Sequence, residues 1–399
     1  MAMLYISFFT FKKLIQCGDL FQEMNINKLA CHTVIAYKFP IITLITKCSV
    51  LLFSLGCISA YGIISTDNLY STVSTLFPSV SIPRPLISFL LHLCVFYPLS
   101  STENLKSLKS VSSIAVLVIA SFGLFIVYNV LFYGLKGKFA NDLVIVNTSF
   151  DYFYGFGILA FAFAVHTSGL QLYAELNMKS VEKMVRISRI GFIIVFAILS
   201  VFGMGGYLLF GSSADANILQ TFNQNNGFVQ MFNFLILLLI IASYPILAHV
   251  AKESLQTIFT KRQSLVEEVT TPISSATPMS ATSGFLSDTS VLAFSIDESN
   301  HADDVDVIKR PSKLIRMIVT ACLCTLTFIA SFFPNSLDLV LGLTGSLSGS
   351  FLVYILPCMV ALSVQERLGL SSGEVMVCKL SIGLGIGCGV LGSVQSVFI

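Results

Sequence analysis

Charge is scarce along this 399-residue chain: only 11% of its residues are Asp, Glu, Lys or Arg, against 55% hydrophobic, and the mean hydropathy is +0.85. A water-soluble protein can bury one or two all-apolar helices as core. Nine of them would leave too little polar surface to dissolve it. The apolar runs are roughly 42–65, 85–100, 111–134, 153–174, 188–210, 229–250, 314–334, 337–363 and 375–398. Each is about the length that crosses ~30 Å of hydrocarbon, although 85–100 is marginal. Other absences narrow the class further. There is no nucleophile elbow, metal-ligand spacing or phosphate loop, which argues against an enzyme, and no metal site is expected. Without a ring-forming filter motif or a charged pore series, an ion channel is disfavoured. A net charge of +2 gives no case for nucleic-acid binding. The ten cysteines lie in spans, at span edges or in gaps assigned to the cytosol, so no disulfide framework is implied. Residues 1–11 are apolar but lack a basic leader and a small-residue cleavage site, and they read as half of a membrane span rather than a signal peptide.

What charge there is carries information. Of the 23 basic residues, 20 fall in alternate gaps, including Lys12, Lys13, Lys106, Lys183, Arg189, Lys252, Arg316 and Arg367. Only Arg84, Lys136 and Lys138 fall in the others. Positively charged short loops are retained on the cytoplasmic side. A cytoplasmic N-terminus and an exoplasmic C-terminus are therefore expected. The sequon Asn147-Thr148-Ser149 falls in an exoplasmic gap, which makes Asn147 a candidate glycosylation site. Residues 263–311 are rich in Ser and Thr and carry Asp288, Asp297, Asp303 and Asp306. They read as a disordered cytosolic loop, either open to regulation or a plain spacer. The chain therefore divides into a partial span and cytosolic segment (1–41), a membrane core (42–255), the loop (256–312) and three last spans (313–399).

Function must come from polar and helix-breaking residues at membrane depth, where irregular backbone is tolerated only if it is buried in protein or lines a cavity. The richest segment is Phe153–Leu176, FYGFGILAFAFAVHTSGLQLYAEL, with Gly155, Gly157 and the run His166-Thr167-Ser168-Gly169. Such residues also let helices pack closely, so both packing and an unwound site are open. Ser243-Tyr244-Pro245 interrupts another run. Pro245 frees the carbonyl near Ile241 and Ser243 offers an oxygen beside it, a donor set for a small hard cation or else a packing kink. Gly342, Gly345 and Gly349, with Thr344, Ser346 and Ser348, read as a helix-packing stripe.

In order along the chain, FAFAVH, LYAEL, MKSVEKMVRISRIGF, GGYLLFG and NILQTF resemble the central signature of the amino acid/auxin permease family. The match is nearest to its system A/N and vacuolar amino-acid transporter branch. Tyr97-Pro98-Leu99, the Ser243-Tyr244-Pro245 kink and LGLTGSLSG followed by ILP fit as well, so the resemblance covers about 43–365. It implies an all-α polytopic membrane bundle of LeuT-type inverted-repeat architecture, with substrate held near the midplane. On that resemblance Gly157, Phe161, Phe163, His166, Thr167 and Ser168 would form the substrate site, and Ile241 and Ser243 the cation site. Residues 1–16 resemble the tail of the family's second span. On that resemblance the chain is expected to lack the first span and part of the second, as an incomplete gene product or a divergent or inactive one.

The expected function is secondary active transport of neutral amino acids in the plasma membrane or the vacuolar or lysosomal membrane, with no cofactor beyond a coupling ion, Na+ or H+. Its partners are the amino acid, that ion and the lipid bilayer. No Asp or Glu lies at midplane, so a proton would ride on His166 and a sodium ion on Ser243 and nearby carbonyls. A sensor that binds the same ligand without moving it is the competing class.

Overall fold

A computed structural model describes residues 1–32, 41–79, 81–101, 109–144, 152–259, 313–333 and 336–398. Asn147 and the loop from residue 260 to 312 lie outside the described residues.

The described residues form helices and connecting turns, with no strand among them. The helices are α1 (Ala2–Phe21), α2 (Ile26–His32), α3 (Ile41–Leu76), α4 (Arg84–Leu91), α5 (Tyr97–Ser101), α6 (Lys109–Leu135), α7 (Tyr152–Ala162), α8 (His166–Ala174), α9 (Val181–Phe210), α10 (Ile218–Thr221), α11 (Gly227–Phe259), α12 (Lys313–Phe332), α13 (Ser336–Leu343), α14 (Leu356–Ser363), α15 (Gln365–Leu368) and α16 (Ser372–Phe398). Eight helical stretches among the described residues are long and apolar enough to cross a membrane. The expected run at 85–100 is not one of them. It is the shortest of the nine, and its helix is split by a π-turn, His92–Phe96, between α4 and α5.

That π-turn has a local cause. Proline lacks an N–H, and in an α-helix its ring clashes with the carbonyl one turn back. Pro98 lies two residues after the end of the π-turn, in which hydrogen bonds reach five residues instead of four. The same pairing recurs between α13 and α14, where the π-segments Thr344–Gly349 and Phe351–Ile355 run up to Leu356-Pro357. Pro245 behaves differently. α11 continues through it as one helix, so the expected interruption of that run does not occur.

The two largest of four buried clusters among the described residues join most of the bundle. One collects Leu14 of α1, Phe163, Phe192 of α9, Tyr354 and Cys378 of α16. The other collects Ile58 of α3, Phe96, Tyr244 of α11 and Leu323 of α12, with Phe96 and Tyr244 stacked at 4.0 Å between ring centroids. α3 serves both, through Val50 and Phe53 in the first and Ile58 in the second. In hydrocarbon, apolar side chains gain little by leaving lipid, so close backbone approach matters more. Gly345 supplies it, lying directly against the Gly157 carbonyl of α7.

The poorly basic gaps meet at one end of the bundle. There Arg84 pairs with Asp67 and donates to the Ser331 carbonyl, and Asp142 accepts from the hydroxyl and backbone N–H of Ser212. Those two donors hold the Asp142 carboxyl below the usual range. At the opposite end Lys13 pairs with Glu374 and the Tyr173 hydroxyl donates to Asp19.

Candidate functional site

α7 and α8 are one membrane-crossing segment broken in its middle. α7 stops at Ala162 and α8 begins at His166, leaving Phe163, Ala164 and Val165 outside regular helix. The break falls just ahead of the polar run rather than within it. Turn bonds occupy part of the break, from the Phe163 and Ala164 N–H groups to the Leu159 and Phe161 carbonyls and from the Ser168 N–H to the Val165 carbonyl, and the remaining end groups of α7 and α8 lie outside the regular helical ladder. The N-terminal end of α8 also carries the positive pole of its helix dipole. Thr167 and Ser168 donate their hydroxyls to the Ala164 and Val165 carbonyls at 3.3 and 3.4 Å, which caps part of the break.

His166 is fully buried. Its Nε2 lies 3.1 Å from the Thr10 hydroxyl of α1, and its ring meets Phe11 edge-on at 5.4 Å. Because the Thr10 hydroxyl donates to the Ser7 carbonyl at 3.0 Å, its oxygen is free to accept from Nε2. Nδ1 is buried without a well-aligned hydrogen bond among the described residues, although the Phe163 and Ser7 carbonyls lie near the ring. A buried polar atom without a partner is costly and marks a place where a ligand or proton can be received.

The aromatic residues flank the break on opposite sides. Phe163 is buried and stacks on Phe192 at 5.9 Å, whereas Phe161 packs against Phe53 of α3 at 5.2 Å. Gly157 sits one turn or more away from the break, pressed against Ser346, whose hydroxyl is itself buried and unpartnered among the described residues. The stripe at Gly342, Gly345 and Gly349 packs on Tyr154, Gly157 and Phe161, the close contact read from the sequence.

Ser243 and Ile241 belong to the second cluster, not to this one. The Ser243 hydroxyl donates to the Leu239 carbonyl at 2.9 Å, and its neighbour Tyr244 bonds Thr327 of α12 at 2.9 Å. Pro245 still leaves the Ile241 carbonyl without its usual donor. α3 stands between the two sets, packed against Phe161 on one side and α11 on the other.

Thr10 and Ser7 are not among the site residues that the sequence singles out, yet both are buried and Ser7 bonds the Tyr354 hydroxyl at 3.1 Å. A signal for them exists: Ser7, Thr10, Lys13 and Cys17 recur at helical spacing in an otherwise apolar segment and share one buried face. Thr10→Val should strand both nitrogens of His166 and lower stability by about 1–3 kcal/mol. Thr10→Ser should restore most of it, as read by thermal unfolding in detergent; equal melting of the Thr10→Val variant and the wild-type protein would remove the bond's significance.

Fold and site together define a polytopic helical membrane protein with a broken helix among its spans. The chain belongs to the transmembrane amino acid transporter protein family, whose model matches residues 1–397. It is 21% identical over 339 residues to vacuolar amino acid transporter 5 of Schizosaccharomyces pombe, an alignment covering 83% of this chain and 68% of that one. It is 23% identical over 224 residues to the putative sodium-coupled neutral amino acid transporter 11 of Homo sapiens, covering 56% of this chain and 44% of that one. Over 98 residues it is 26% identical to sodium-coupled neutral amino acid transporter 7 of Xenopus laevis, covering 25% and 22%. The chain spans less than half the length of these last two relatives.

Proposed function

We propose that the protein moves neutral amino acids across a membrane by alternating access, driven by sodium or protons, with its N-terminus in the cytoplasm. The observation that carries this reading is the break at Phe163–Val165 beside a buried His166. Exposed backbone at a broken helix can meet the two ends of a free amino acid: N–H groups of α8 take the carboxylate and carbonyls of α7 take the ammonium. Phe161 and Phe163 then bound the side chain. An inverted-repeat arrangement of LeuT type accounts for a broken helix facing the bundle interior, and rocking of one set of helices against the other alternates access. The relatives named for vacuolar and sodium-coupled transport support the substrate class. They leave both ions in play.

The test is uptake of labelled alanine by the purified chain in proteoliposomes, under an inward sodium gradient or an inward proton gradient. Accumulation above equilibrium under one gradient is expected. Loss on His166→Ala in the proton case, or on Ser243→Ala in the sodium case, identifies the coupling group. Saturation at one alanine per protein with no accumulation overturns transport in favour of a sensor.

A further inference from the structure

At the poorly basic end of the bundle, a pocket of about 190 Å³ opens between the end of α3, the start of α4 and the segment leading into α10. Ile63 and Leu337, both nearly inaccessible, give it an apolar floor. One wall carries the Asp67–Arg84 ion pair and another the carboxylate of Asp215. None of these residues belongs to the broken helix or to the Ser243 region.

Arg84 is held in place without being used up. Its Nε and Nη2 reach one oxygen of Asp67 at 2.8 and 2.6 Å, and its Nη1 donates to the Ser331 carbonyl at 2.8 Å. A guanidinium has five N–H donors in a fixed fork, so about two remain for a further acceptor. The facing wall is equally fixed. The backbone N–H of Asp215 donates to the Thr221 hydroxyl at 3.0 Å, and the Asn217 and Gln220 amides both donate to the fully buried Asn68 at 3.0 and 3.1 Å. Asp215 is exposed, and its carboxylate has no ion-pair partner among the described residues. The pocket thus combines a guanidinium with spare donors, an uncompensated carboxylate and a small apolar floor. That is the complement of a molecule with a carboxylate, an ammonium and a short apolar side chain.

We propose that this pocket is a binding site for a small zwitterionic amino acid, separate from the broken helix, with the ligand's carboxylate on Arg84 and its ammonium on Asp215. It rests on the proposed transport function for the ligand class alone. The pocket, about 190 Å³ and open to solvent on one side, has room for a small amino acid such as alanine. Placed at the end of the bundle, it collects the amino acid before or after passage through the centre.

The chain contains no tryptophan, so a single introduced one reports on its surroundings alone. Tyr70 lines the pocket and is 38% exposed, which leaves room for a larger ring. In the purified full chain carrying Tyr70→Trp, alanine should change the emission saturably, and ethylamine and propionate should not at the same concentration. Adding Asp215→Asn should weaken the alanine response about tenfold, the loss of one charge-assisted contact. Ala216→Trp serves as a second reporter on the other wall. Silence of both reporters while alanine uptake persists overturns this site and leaves the transport reading intact. A response to ethylamine equal to that of alanine overturns zwitterion recognition. A saturable alanine response without uptake supports the site and overturns transport.

Discussion

Gly345→Val is expected to prevent the bundle from closing. A side chain at residue 345 would run into the Gly157 carbonyl, with Phe161 Cβ 3.1 Å from the same point. Both obstacles belong to α7, and the first is main chain, which no rotamer change can move aside. The loss should reach about 3 kcal/mol, the upper end for overpacking, because α7 and the π-segment must separate along their length. Detergent-solubilised protein would show a collapsed monodisperse fraction and a lowered melting temperature. The matched control is Gly155→Ala on the same helix, where nothing lies within 4 Å, and it should melt no lower than wild type. If the Gly345→Val protein melts normally, close approach of α7 is not what holds this region.

The second large effect concerns Lys13 and Glu374, which join α1 to α16 through a 2.6 Å ion pair. The Lys13 side chain is 2% exposed and lies 5.4 Å from the centre of the Phe9 ring, while Glu374 is 31% exposed. Removing only the acid leaves an ammonium buried without its counter-charge. Breaking a fully buried pair costs about 3–5 kcal/mol, and the partial exposure of Glu374 lowers the expectation for Glu374→Ala to about 2 kcal/mol. The double change Lys13→Met with Glu374→Ala should recover most of that, since methionine fills the same space without charge. Melting temperatures of the four proteins in a double-mutant cycle measure the coupling. Strict additivity would mean that water already screens the pair.

Much of this arrangement is legible in the sequence because membrane depth imposes local rules. Apolar length marks the spans, and a cluster such as His166-Thr167-Ser168-Gly169 inside one announces a disturbed helix. The stripe at Gly342–Gly349 announces close contact. What stays hidden depends on partners far away along the chain. Thr10 gains meaning only from His166, 156 residues on, and Phe163 only from Phe192. The pocket at Arg84 is assembled from four segments that are distant along the chain. Pro245 misleads in the other direction: a proline inside an apolar run suggests a break, yet the helix absorbs it by giving up one hydrogen bond.

The π-segments before Pro98 and Pro357 have a consequence for how this chain can change length. A π-turn holds one residue more than the α-turn it replaces, so deleting a residue there returns the helix to α geometry without rotating the remainder of the span. An insertion or deletion elsewhere in a span would swing every later side chain by about 100° and turn buried faces toward lipid. Residues 344–355 and 92–96 are therefore the stretches of the membrane core where single-residue gaps can be absorbed as related chains diverge.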